Sequence, residues 1–148
     1  MIVGLDANIL CYALDDAYPE HEILKDLLLT LSAENKVALN PTTIHETYHT
    51  LVHSQKWLPQ EAADALKTLL NTPNTEFYNQ TRKTCTIALN LSVQYKLGGR
   101  DALIIANFLF NQTPTMYTHD KELLELQKVT WKSTNLTFKD PVAFEIMQ

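Results

Sequence analysis

Short apolar runs alternate with longer segments of helical period along this chain, and that alternation leaves few architectures open. Ile2–Leu5 is a continuous apolar run ending at Asp6-Ala7-Asn8, which suits a strand buried on both faces. From Glu20 onward Ile23, Leu24, Leu27, Leu28 and Leu31 recur at helical spacing behind Pro19. Val37–Leu39 predicts a second strand, and Pro41 opens a helix striped by Ile44, Tyr48, Leu51 and Val52. Another helix is expected from Pro59 through Leu70, closing in the Asn71–Asn74 loop. Glu76–Tyr78 predicts a third strand, followed by a helix through Ile87, Ala88, Leu91 and Tyr95 that should stop at Gly98-Gly99. Ala102–Phe110 is apolar nearly all round, so that helix should be buried. Met116–Thr118 and Val129–Trp131 complete the expected strands, with a short helix after Asp120. Strands alternating with helices imply an α/β fold with a parallel sheet covered on both faces. No segment reads as a linker or a repeat, so residues 1–148 are expected to form a single domain.

Composition narrows the class further. A domain of 148 residues that is 45% apolar buries about 68 to 70% of its unfolded surface, enough for a core without staples. Cys11 and Cys85 lie far apart and form no zinc-ribbon spacing, so they are expected to be free thiols in a reducing, cytoplasmic setting. The amino terminus lacks the basic stretch of a secretion signal. No apolar run approaches the roughly 20 residues of a membrane helix, so no membrane partner is expected. The formal net charge of −5, from 12 basic and 17 acidic residues, argues at face value against a nucleic-acid partner.

Ligands of open parallel sheets bind beyond the carboxyl ends of the strands, which gives priority to acids just after a strand or at a helix start. Asp6, Glu46, Asp101 and Asp120 qualify. Each has a structural explanation of its own. Asp6 suits an Asx-turn, Glu46 stands three residues after Thr43 as in a capping box, and Asp101 and Asp120 suit helix N-caps. Together they say more, because four carboxylates converging at one sheet edge would repel one another unless cations joined them. Carboxylate oxygens suit Mg²⁺ or Mn²⁺. A pair of such ions about 3.5 to 4 Å apart is a recurring device for phosphodiester hydrolysis.

At these residues the chain resembles the PIN domain ribonucleases, including the VapC-like toxins of toxin-antitoxin pairs. The matching motifs are Gly4-Leu5-Asp6-Ala7-Asn8-Ile9-Leu10, Pro41-Thr42-Thr43-Ile44-His45-Glu46, Arg100-Asp101-Ala102-Leu103-Ile104-Ile105-Ala106 and Tyr117-Thr118-His119-Asp120. The resemblance implies a three-layer α/β/α PIN-like fold with a central parallel sheet. It implies Asp6 and Asp101 as the main ligands of Mg²⁺ or Mn²⁺, with Glu46 and Asp120 completing the catalytic site and Asn8 and Thr118 supporting it. It also implies an RNA substrate, a small antitoxin partner and a homodimer. Two departures stand out: Lys121-Glu122 where many members carry another acid, and His119 inside the Thr-x-Asp motif.

A rival lies in the same helix. His45-Glu46-Thr47-Tyr48-His49 spells His-Glu-x-x-His, the zinc metalloprotease signature. Its extended form requires Gly at position 52 and His at position 55, where this chain has Val52 and Gln55. His45, His49 and His53 form a stripe at four-residue spacing, expected to be a solvated helix face. No Gly-x-Ser-x-Gly and no Gly-rich phosphate loop is present. The activity that the resemblance implies is metal-dependent endoribonuclease cleavage, with Arg100 and Lys121, and beyond them Lys56 or Arg82, as candidates for flanking phosphates. A non-catalytic PIN scaffold that binds RNA or protein is the alternative outside enzymology. Removing the four site acids from the 17 leaves 13 against 12 basic residues. The acidity is thus partly concentrated in the proposed site, and bound cations would reverse its sign toward phosphate.

Overall fold

The computed structural model describes residues 1–143. Its sheet follows the order β3-β2-β1-β4-β6-β5, built from β1 (Ile2–Leu5), β2 (Lys36–Leu39), β3 (Thr75–Phe77), β4 (Thr115–Tyr117), β5 (Lys128–Trp131) and β6 (Thr134–Lys139). β1 pairs in parallel with both β2 and β4, which places it at the centre. The pairs β2–β3 and β4–β6 are also parallel, and only β5 runs antiparallel, at the edge.

Helices cover both faces, giving the three-layer α/β/α architecture expected from the sequence. One face packs α1 (Ala7–Leu14), α2 (His21–Leu29), α3 (Pro41–His49) and α4 (Pro59–Leu70) against Val3, Leu5, Val37 and Leu39. The other packs α5 (Arg82–Tyr95), α6 (Gly99–Phe110) and α7 (Lys121–Leu126) against Ala38, Met116, Leu136 and Phe138. α6 is the buried helix its composition predicts, with Ile104, Ile105, Ala106, Phe108 and Leu109 all at 0% exposure. Gly4 in β1 is where that helix approaches the sheet: a Cβ there would stand 2.6 Å from the Phe108 ring.

Several boundaries differ from expectation for local reasons. α1 follows Asp6 at once, because the Asp6 side chain caps it by accepting from the Ala7 amide at 2.8 Å. α3 starts at Pro41 as expected, but its N-cap is Asn40 and not Thr43: the Asn40 side chain accepts from the Thr43 amide at 2.9 Å, and Pro41 takes the first helical position. Glu46 therefore lies a turn beyond any capping box. α3 then passes into a π-helical turn, Thr50–Ser54, closed by the Gln55 amide on the Thr50 carbonyl at 3.0 Å. α5 ends earlier than predicted, on Lys96 in the left-handed region (φ 58°), and Gly98 caps the start of α6. Asp101 is thus inside the first turn of α6 and is not its N-cap, whereas Asp120 does cap α7. β6 was not anticipated; it joins β5 through a turn with Lys132 at φ 53°.

A buried polar bracket ties three of these elements together. Asn40 Nδ2 donates to Asn107 Oδ1 at 3.2 Å, and Asn107 Nδ2 donates to the Tyr78 and Asn79 carbonyls at 2.9 and 3.2 Å. Both asparagines are fully buried, so each lost partner leaves a desolvated group behind. Asn107→Leu should cost about 2 kcal/mol or more, read as a lower urea midpoint at unchanged slope; a midpoint within error of wild type would refute the bracket's role.

Candidate active site

β1 and β4 are neighbours, so the residues that follow them meet at the carboxyl edge of the sheet. The Asp6 backbone amide donates to the Tyr117 carbonyl at 3.0 Å, extending the pairing by one step. Thr118, fully buried, then donates its hydroxyl to Asp6 Oδ2 at 2.7 Å and accepts from the Asp120 amide at 3.1 Å. One threonine side chain thereby fixes the first and fourth predicted acids. Asp120 is further held by accepting from the Glu122 and Leu123 amides at 2.9 and 3.3 Å.

The second and third acids come from helices on opposite faces of the sheet. Glu46, on the second turn of α3, and Asp101, on the first turn of α6, line an open cleft of about 420 Å³ with Ala7, His49, Thr50, Gly98, Gly99 and Arg100. Arg100 Nε stands 3.3 Å from Glu46 Oε1 across this cleft, with the Arg100 side chain 76% exposed. Arg100, expected as a candidate phosphate contact, is thus paired with Glu46.

The electrostatics record a shared acidic pocket. Asp6 is only 6% exposed. Burial pushes its carboxyl from 3.8 up to about 6, against the opposing pull of the Thr118 hydroxyl and the Ala7 amide; Asp101 and Glu46 add repulsion. Partial burial also raises Glu46, with Arg100 pulling it down and Asp101 pushing it up. Asp101 is raised by burial and then by Asp120, with Glu122 adding to the rise and Arg100 opposing it. All four predicted acids therefore belong to one interacting set. Glu122, which the sequence reading noted only as a departure, joins it; its position two residues past a capping acid was the available signal.

The donor set suits a hard cation held partly through water. Among the described residues no three His, Cys, Asp or Glu side chains form a ready-made metal cage. A hard divalent cation such as Mg²⁺ keeps several of its waters and takes only one or two carboxylates directly. Asn8 Oδ1 is buried at the start of α1 without a hydrogen-bond partner. It is a spare acceptor two residues after Asp6. The zinc signature fares worse: His45 is exposed, Glu46 is paired with Arg100, and the histidine rings in contact are His49 and His53, with centroids 4.5 Å apart. Lys121, Lys56 and Arg82 are all exposed.

The family model described as PIN domain matches residues 3–129 of this chain. The chain belongs to the PIN domain family. PIN proteins are nucleases that generally use divalent metal ions. No curated protein matches this PIN domain. Among solved structures it is similar to VapC20 of Mycobacterium tuberculosis, a sarcin-ricin loop cleaving toxin, with TM-score 0.71 and 16% identity over 89% of this chain and 99% of that one. It is also similar to VapBC2 from Rickettsia felis bound to a promoter DNA fragment, with TM-score 0.63 and 18% identity over 95% and 100%. FitAcB from Neisseria gonorrhoeae gives TM-score 0.62 and 18% identity over 95% and 98%. At these identities the likeness shows the fold. Among the described residues of the PIN domain no helix is long and apolar enough to cross a membrane.

Proposed function

We propose that this PIN domain is a Mg²⁺- or Mn²⁺-dependent endoribonuclease and the toxin of a toxin-antitoxin pair. The observation that carries the reading is the buried Asp6, fixed by Thr118 and coupled electrostatically to Glu46 and Asp101. Asp6 and Asp101 would hold the ion, with Glu46 and Asp120 reaching it directly or through water. When bound, the ion supplies Lewis-acid charge for hydrolysis of an RNA phosphodiester. Thr118 keeps both Asp6 and Asp120 oriented, so little reorganisation is left for the reaction itself. Arg100, at the cleft mouth and largely exposed, is placed to exchange Glu46 for a backbone phosphate. The likeness to VapBC structures supports a small antitoxin partner, and a homodimer accords with the same reading.

The test compares RNA and casein as substrates in Mn²⁺, Mg²⁺ or Zn²⁺. The wild type should cleave RNA with Mn²⁺ or Mg²⁺, Asp101→Asn should lose on the order of 10²-fold of that rate, and His45→Ala should retain it. Zn²⁺-dependent casein cleavage that disappears in His45→Ala would overturn the reading in favour of a protease. RNA binding without cleavage in nuclease-free preparations would leave only a scaffold.

A further inference from the structure

His49 and His53 are the two members of the histidine stripe whose rings are in contact. His49 lies on the cleft wall with Glu46 and Thr50, facing Arg100 and Asp101. His53, in the π-helical turn, meets it in a tilted ring contact, 4.5 Å between centroids and 37° between planes. Both residues are exposed, so the pair is a short aromatic column that starts at the cleft and ends in solvent.

The backbone beneath these exposed side chains is tied by several hydrogen bonds. The Gln55 amide closes the π turn on the Thr50 carbonyl, and the Trp57 amide closes it again on the Leu51 carbonyl at 2.9 Å. Leu51 between them is fully buried. Lys56, in the left-handed region at φ 62°, returns its ammonium to the His53 carbonyl at 2.9 Å. π turns cost regular hydrogen bonding and occur frequently at functional sites. A preorganised ring pair has already met the ordering cost that a ligand would otherwise impose.

We propose that His49 and His53 form a stacking platform for a nucleobase of single-stranded RNA on its path out of the acidic cleft. The inference rests on the ribonuclease reading and adds to it a defined subsite. Unpaired bases stack on aromatic side chains with little regard to sequence. The column is therefore a positioning subsite, and it selects for unpaired RNA flanking the scissile phosphate. A duplex, whose bases are stacked on one another, cannot use it.

The test is binding of a single-stranded RNA of about 12 nucleotides, within the span that such surfaces cover, measured by anisotropy with Ca²⁺ in place of Mg²⁺ and checked intact on a gel. A 2-aminopurine is walked along the same RNA as a stacking reporter. His53→Ala should weaken binding about fivefold and abolish the fluorescence quench at one position, while His53→Phe should stay within about twofold of wild type. His53→Lys should behave like the alanine variant, which separates stacking from charge. Unchanged affinity in both His49→Ala and His53→Ala would overturn the platform, as would rescue by lysine but not by phenylalanine. If the wild type cleaves RNA in Mn²⁺ while His53→Ala binds normally, only this inference falls. If the wild type neither binds nor cleaves RNA, both readings fall together.

Discussion

Asp6→Asn should reduce RNA cleavage by about 10³-fold while making the metal-free protein harder to unfold near neutral pH. The first effect follows from charge: a central ligand of a divalent ion contributes several kcal/mol to the transition state, and each 1.36 kcal/mol is tenfold in rate. The second follows from the same burial that makes the residue useful. The Asp6 carboxyl sits at about 6 in the folded protein against an ordinary 3.8. Between those values the folded state holds a proton that the unfolded chain has released. Its stability contribution is therefore complete below about pH 4 and is lost as pH rises through 6, and two units correspond to about 3 kcal/mol. Raised values at Glu46 and Asp101 slope the same way. In EDTA the wild-type urea midpoint should fall between about pH 5 and about pH 7.5, and that of Asp6→Asn should fall less. Added Mn²⁺ should restore the wild type and leave the variant unmoved. Equal pH slopes for the two proteins would refute a strained carboxylate at this position.

Gly4→Ala carries the largest expected loss of stability, about 3 kcal/mol, at the upper end for overpacking a core. The new methyl would meet three Phe108 ring atoms at 2.6 to 2.8 Å. Phe108 is at 0% exposure and has nowhere to go. β1 must then shift away from α6, and Asp6, two residues on, shifts with it. Loss of cleavage should therefore exceed what the unfolded fraction explains. Phe108→Leu should relieve the clash, so the double variant should be more stable than the sum of the single changes predicts. Strict additivity would mean that the two positions do not press on each other.

Most of the architecture was legible in the sequence, since runs such as Ile2–Leu5 and Ala102–Phe110 have lengths and compositions that few elements share. What escaped did so for physical reasons. α1 spans only Ala7–Leu14 and is largely buried, so it carries no polar stripe to mark its period. β6 places only Leu136 and Phe138 fully in the core, too few for an alternation to register. The four acids were found because their types and order match a family. Their partners were not all found: Thr118 was expected to support the site, whereas the Arg100–Glu46 pair and the coupling of Glu122 to Asp101 depend on helices that are distant in sequence. The His-Glu-x-x-His spelling was set aside as a zinc signature, yet its Glu46 and His49 both line the cleft.

The hydrogen bond from Thr118 to Asp6 joins residues 112 positions apart. At ordinary rates of translation the ribosome needs on the order of ten seconds to make the chain between them. For all that time Asp6 waits at the end of a strand that has β2 to pair with but not yet β4. That contact has no partial form: it exists only after β4 docks beside β1. A chain truncated before Thr118 therefore lacks the hydroxyl that holds Asp6, and the buried carboxylate gains that partner only when nearly the whole fold is in place.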